Sequence, residues 1–131
     1  MNNNFLQSKG DEIMTLKVIE YPKCTTCRKA IKWLQEAGVE FEKVHIVEQT
    51  PSQEELTTYY KLSGLPLKKF FNTSGNKYKE LGLKDKLADM SEEEQLKLLA
   101  SDGMLIKRPI VTDGQKLTLV FKESDFSETW K

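Results

Sequence analysis

Cysteine, histidine and proline are scarce in this chain of 131 residues, which holds two, one and four of them. Tetrahedral zinc wants four ligands of sulfur and imidazole type, so one cysteine pair with one histidine disfavours a structural metal. Two cysteines are also too few for the several-bridge framework of a small secreted fold. Net charge is missing as well, because twenty Lys+Arg balance twenty Asp+Glu. No global field gathers DNA, RNA or anionic lipid, and direct nucleic-acid binding loses its main driving force. No apolar run approaches the roughly 18 residues that a membrane span needs. The opening MNNNFLQSKGDEI lacks the apolar middle of a secretory signal. A cytoplasmic protein with neither membrane nor nucleic acid as direct partner is expected.

What is present fits one globular domain: 38% hydrophobic and 31% charged residues, at a length typical of a single core. Residues 1–13 are polar and are expected to form a disordered extension, leaving 14–131 as one domain. Leu16, Val18 and Ile19 predict a buried strand that ends at Tyr21-Pro22. From Cys27 onward Ala30, Ile31, Leu34 and Ala37 recur at helical spacing and Gly38 supplies a left-handed stop, so a helix begins beside Cys24. Val39, Phe41, Val44 and Ile46 predict a second strand whose alternation slips near Lys43, as at a bulge. A strand-helix-strand unit of this length should be parallel and right-handed. Thr50-Pro51-Ser52 with Glu54 opens a helix that ends near Ser63-Gly64. Short broken helices follow to about Asp89, and Ser91 with Glu94 caps a helix running to Ser101. Ile110 and Val111, the turn at Asp113-Gly114, and Leu117, Leu119 and Phe121 predict a β-hairpin. Ser124 to Trp130 closes the chain as a helix. Trp33 and Trp130 are assigned to packing.

Cys24 and Cys27 form a single Cys-x-x-Cys at the strand-to-helix junction. A thiol at its free pKa of about 8.5 is only a few per cent thiolate at neutral pH, so useful nucleophilicity needs a stabilised anion. A helix N-terminus contributes roughly 0.3 to 1 kcal/mol, less than the ~1.36 kcal/mol that one pKa unit requires. A nearby cation is therefore expected. Arg28 is adjacent in sequence, and Arg108 reaches the same mouth if the hairpin lies beside the first strand. In this reading Cys24 is the nucleophile and Cys27, one turn inside, is the resolving thiol. Thr25 and Thr26 offer amides and hydroxyls to the sulfur. The competing reading is a pair of unreactive core thiols. His45, lone in a strand, is read as packed or exposed and is not a site candidate.

Arg108-Pro109-Ile110 is the second constellation. A proline entering a strand signals a cis bond or an edge, and opposite a Cys-x-x-Cys it would bring backbone amide and carbonyl groups near the sulfur. A plain edge-strand proline beside a solvated arginine is the alternative. The third is a basic cluster of Lys68, Lys69, Lys77, Lys79, Lys84 and Lys86 against Glu80 and Asp85, which apart from Lys68 is read as a solvated face. No pattern for a cofactor is found, and none is expected.

Tyr21-Pro-Lys-Cys-Thr-Thr-Cys-Arg-Lys-Ala, the helical segment after it, and Lys107-Arg-Pro-Ile-Val-Thr together resemble the ArsC/Spx family of thioredoxin-fold proteins. The resemblance implies an α/β fold, a thioredoxin-like sandwich with a mostly helical insertion at about 50–106 between the second and third strands, and a cis Pro109. It also implies a thiol-disulfide oxidoreductase, arsenate reductase-like, with Cys24 as nucleophile and Arg108 as oxyanion or thiolate partner. Lys68 falls where that branch carries another arginine, and a third arginine is absent around Leu119-Val-Phe-Lys-Glu. Lysine lacks the planar fork that grips an oxyanion bidentately. The second cysteine favours an internal disulfide. Glutaredoxin, thioredoxin or a low-molecular-weight thiol would serve as reductant. The Spx branch implies a redox-switched regulator that binds the C-terminal domain of the RNA polymerase α subunit.

Overall fold

A computed structural model describes residues 15–130; the extension expected at 1–13 lies outside the described residues. Strand β1 (Leu16–Glu20) leads into helix α1 (Thr25–Glu36) and strand β2 (Phe41–His45), which lies parallel to β1 in the register Leu16 to Phe41 through Glu20 to His45. Helices α2 (Gln53–Ser63), α3 (Asn76–Glu80) and α4 (Glu92–Ser101) follow, joined by 3₁₀ turns that include Leu67–Phe70 and Gly103–Leu105. The chain then returns through the antiparallel hairpin of β3 (Ile110–Thr112) and β4 (Leu117–Leu119) and ends in α5 (Glu123–Thr129). Among the described residues the sheet has the order β2-β1-β3-β4. No described helix is long and apolar enough to cross a membrane.

Both faces of this sheet are covered. Leu16, Val18 and Val111 face a core with Ala30 and Leu34 of α1 and with Phe126 and Trp130 at the C-terminus. Ile19 and Ile110 face a larger core built by the helical segment, around Leu56, Phe70, Leu99 and Ile106. This two-sided burial explains the slip in alternation along β2. Phe41 packs into the first core and Val44 into the second, and the register runs without an inserted residue, so the expected bulge is absent. Val39 lies before the strand, its N–H donating to the Leu34 carbonyl in the terminator of α1, where Gly38 has φ 75°.

Local signals set most helix ends. Ser52 caps α2 through a reciprocal pair with Glu55, one position beyond the expected Glu54, and Ser91 with Glu94 does the same for α4. The hairpin loop is longer than a two-residue turn. Asp113 Oδ1 accepts from the N–H groups of Gln115 and Lys116, and the Thr112 hydroxyl donates to the Lys116 carbonyl. Phe121 falls outside β4 because Val120 turns the chain with φ 61°. Its ring instead packs edge-on against Phe126, at 4.9 Å between centroids. Trp33 meets the same Phe126 at 5.4 Å, and Trp130 donates through Nε1 to Thr118.

Candidate functional site

The turn Tyr21-Pro-Lys-Cys closes with the Cys24 N–H donating to the Tyr21 carbonyl at 2.9 Å. Cys24 is thereby left as the N-cap of α1, with extended backbone, and its Sγ accepts from the Cys27 N–H at 3.3 Å. A sulfur in this position takes the place of a capping oxygen and faces the positive end of a helix of 12 residues. Cys27, one turn on, is fully buried, and both thiols are free.

The two sulfurs are driven in opposite directions. Burial opposes ionisation of Cys24, but the hydrogen bonds from the Cys27 thiol and amide, together with the hydrogen bond and charge of Arg108, outweigh it and lower its pKa. Cys27 is pushed up to about 12, first by burial and then by its hydrogen bond to Cys24; the Tyr21 backbone and Arg108 pull weakly the other way. The outer sulfur is therefore the more readily ionised of the two, and the inner one is the one that keeps its proton.

Arg108 reaches the site from the far side of the chain. Its peptide bond to Pro109 is cis, and the Pro109 carbonyl accepts from the Val120 N–H at 2.9 Å. The guanidinium lies over the Tyr21 ring, 4.9 Å from the centroid. Its Nε and Nη1 are buried without a hydrogen-bond partner among the described residues. An arginine left with unused donors beside a thiol is equipped to accept an anion.

A cavity of about 560 Å³ opens where these groups meet, lined by Cys24, Thr25, Thr26 and Arg108 and closed by Lys107, Val120 and Phe121 on one side and by Asn72, Ser74 and Gly75 on the other. Cys24, Thr25, Thr26 and Arg108 thus come together, with Cys27 hydrogen-bonded to Cys24, whereas Pro109 is outside the lining and its carbonyl is taken by Val120. Arg28 and Lys68 do not. The Arg28 side chain is exposed and donates from Nε to the Pro22 carbonyl, and Lys68 is exposed on its 3₁₀ turn, outside the lining. His45 is packed: its ring meets Tyr21 edge-on, and its Nδ1 accepts from the N–H groups of Val47 and Glu48.

The wall at Asn72–Gly75 is the part that sequence reasoning missed. The bridge between Phe71 and Ile106, with the Lys107 N–H donating to Phe70 and the Asn72 N–H to Leu105, lays this loop against the approach to Arg108. A run of small polar residues, Asn72-Thr-Ser-Gly-Asn, was its visible mark, and such a run ordinarily signals a loop. Among the described residues no group of three or more metal-ligating side chains is found.

Comparison with known proteins agrees with this architecture. The chain matches the ArsC family over residues 19–129. It is 65% identical over 117 residues to the uncharacterised protein YusI of Bacillus subtilis, covering 89% of this chain and 99% of that one. It is 32% identical over 110 residues to the regulatory protein MgsR of the same organism, covering 84% of this chain and 86% of the relative. The crystal structure of an ArsC family related protein from Bacteroides fragilis superposes with a TM-score of 0.85 at 48% identity, covering 88% of this chain and 97% of that one. With its thioredoxin-like sheet, the helical segment between β2 and β3, and a family match that spans nearly all of it, this chain belongs to the ArsC family.

Proposed function

We propose that residues 14–131 form one thioredoxin-like domain acting in the cytoplasm as a thiol-disulfide oxidoreductase, with Cys24 as nucleophile, Cys27 as resolving thiol and Arg108 as the cation that stabilises the anion. The observation that carries this reading is Cys24 Sγ at the helix N-cap, 3.3 Å from the Cys27 N–H, beside an arginine with two unused buried donors. In the oxidising half-reaction the Cys24 thiolate attacks one sulfur of a disulfide and expels the other as a thiolate. The charge that helped hold the Cys27 proton is then gone, since hydrogen bonding and charge from Cys24 both raise its pKa. Cys27 gives its proton to solvent or to the expelled thiolate and attacks Cys24 Sγ. The second thiol leaves and a Cys24–Cys27 disulfide remains, which a dithiol reductant of the glutaredoxin or thioredoxin class, or a low-molecular-weight thiol, reduces back.

Arsenate is the less supported substrate. Of the arginines that the resemblance calls for, Arg108 alone lines the cavity, and Lys68 is not part of the lining. Equilibration of the couple in a dithiol redox buffer tests the main reading: a potential near the cytosolic pool, roughly −220 to −320 mV, supports cycling, and one far below it means a static bond. Arsenate turnover with glutaredoxin or thioredoxin is expected to be slight.

The similarity to a regulatory protein favours a second reading, a redox-switched regulator that binds the C-terminal domain of the polymerase α subunit. The neutral charge suits it, because such a protein delegates contact with DNA to polymerase. A pull-down with that domain, using oxidised and reduced protein, decides: absence of binding in both states removes this role.

A further inference from the structure

A second cavity of about 510 Å³ adjoins the first and shares with it the wall of Asn72, Ser74, Gly75 and Arg108. It extends away from Cys24 toward Lys77, Glu80, Asp102 and Met104. Its chemistry differs from that of the first, which has the cations Lys107 and Arg108 and no carboxylate. Here both signs occur. Asp102 is already committed, since its Oδ1 caps the following turn by accepting from the Met104 N–H and its Oδ2 lies 3.6 Å from Lys77 Nζ. The ammonium of Lys77 is thus held at the cavity with donors to spare, Arg108 contributes buried N–H groups without partners, and the exposed carboxylate of Glu80 stands among the lining.

We propose that this second cavity is a subsite for the α-amino-acid head of a cysteine-type disulfide, whose carboxylate is taken by Lys77 and Arg108, whose ammonium is taken by Glu80, and whose sulfur is delivered to Cys24. The proposal rests on the oxidoreductase reading of Cys24 and names the substrate class for it. Both cavities fall within the roughly 300–1,000 Å³ usual for small-molecule sites. Met104 offers an apolar contact for the connecting methylene. The reaction balances as a two-step exchange. The Cys24 thiolate attacks the disulfide R–S–S–R, forming Cys24–S–S–R and releasing RS⁻. Cys27 then attacks Cys24 Sγ, its proton passing to the released thiolate, and the second RS⁻ leaves and is protonated from solvent. The protein dithiol is oxidised and the disulfide is reduced to two thiols.

The test compares cystine, neutral hydroxyethyl disulfide and cationic cystamine as oxidants of the reduced full chain, with mixed-disulfide formation followed by mass spectrometry. Each rate is divided by the rate with an unstructured Cys-x-x-Cys peptide, which removes intrinsic reactivity. Cystine is expected to exceed hydroxyethyl disulfide by about tenfold, the factor that one charge-assisted hydrogen bond of modest strength supplies. Cystamine, which lacks the carboxylate, should fall below cystine. The cystine preference should collapse toward one in Lys77→Ala and in Glu80→Gln, both at exposed positions. A normalised preference near one in the parent protein, or one unchanged in both variants, overturns the subsite. Activation of Cys24 is judged separately: if hydroxyethyl disulfide reacts no faster with the protein than with the peptide, the underlying reading fails, whatever the ranking of the disulfides.

Discussion

Brief exposure of the reduced protein to iodoacetamide at pH 7 should label Cys24 almost alone. A group with a pKa of about 12 is ionised at pH 7 in roughly one molecule in 10⁵. Cys24, held below 9.0, exceeds roughly one in a hundred. The thiolate fractions therefore differ at least ~10³-fold. The more basic thiolate is the better nucleophile, with a Brønsted slope of about 0.4–0.5, which returns roughly 30-fold over three pKa units. About 30-fold selectivity for Cys24 remains as a lower bound, before the complete burial of Cys27 is counted. Peptide mapping by mass spectrometry reads both sites in one sample. Arg108→Ala should slow the labelling of Cys24 and move its pH midpoint upward, because the guanidinium stabilises the anion by hydrogen bond and by charge. Equal labelling of the two thiols, or a midpoint indifferent to Arg108, would refute the assignment of roles.

Three further outcomes follow from the same geometry. A raised pKa in the folded state means that the unfolded chain releases the Cys27 proton first, so the stability of the reduced protein should fall as pH rises from 9.0 toward about 12; urea melts should show this slope reduced in Cys27→Ala. A Cβ at Gly103 would stand 2.1 Å from the Ile46 carbonyl oxygen and 2.8 Å from its carbon, so Gly103→Ala should cost about 3 kcal/mol or more, and a midpoint loss near zero in urea would contradict the close approach. Val120, β-branched with φ 61° at the cavity rim, holds about 1–2 kcal/mol of left-handed strain. Val120→Gly should therefore retain or gain stability in spite of the ~0.5–1 kcal/mol entropy cost of glycine, and a clear loss in a thermal melt would show that the turn is unstrained.

The cysteine pair, helix α1 and the capping box of α4 were legible in the sequence because each is local: the spacing of Ala30, Ile31 and Leu34, the stop at Gly38, and Ser91 placed three residues ahead of Glu94; at α2 the start was legible but its capping partner is Glu55, not Glu54. The hairpin was legible as a hairpin, but its length was not, since the side chains of Thr112 and Asp113 bond the loop and extend it to Lys116. Strand β2 looked irregular because alternation reports one buried face and this strand has two. Arg28 seemed available because it is adjacent to Cys27, yet its side chain turns to the Pro22 carbonyl. The sequence by itself thus determined which residues could carry redox chemistry and that α1 would present Cys24 at its positive end. Only the tertiary structure decided which cation reaches the sulfur and what encloses it, because Arg108, the Asn72–Gly75 wall and the Val120 turn arrive through the pairing of β3 with β1 and of Phe71 with Ile106. Pairings between distant segments depend on the whole packed core, and no local pattern encodes them.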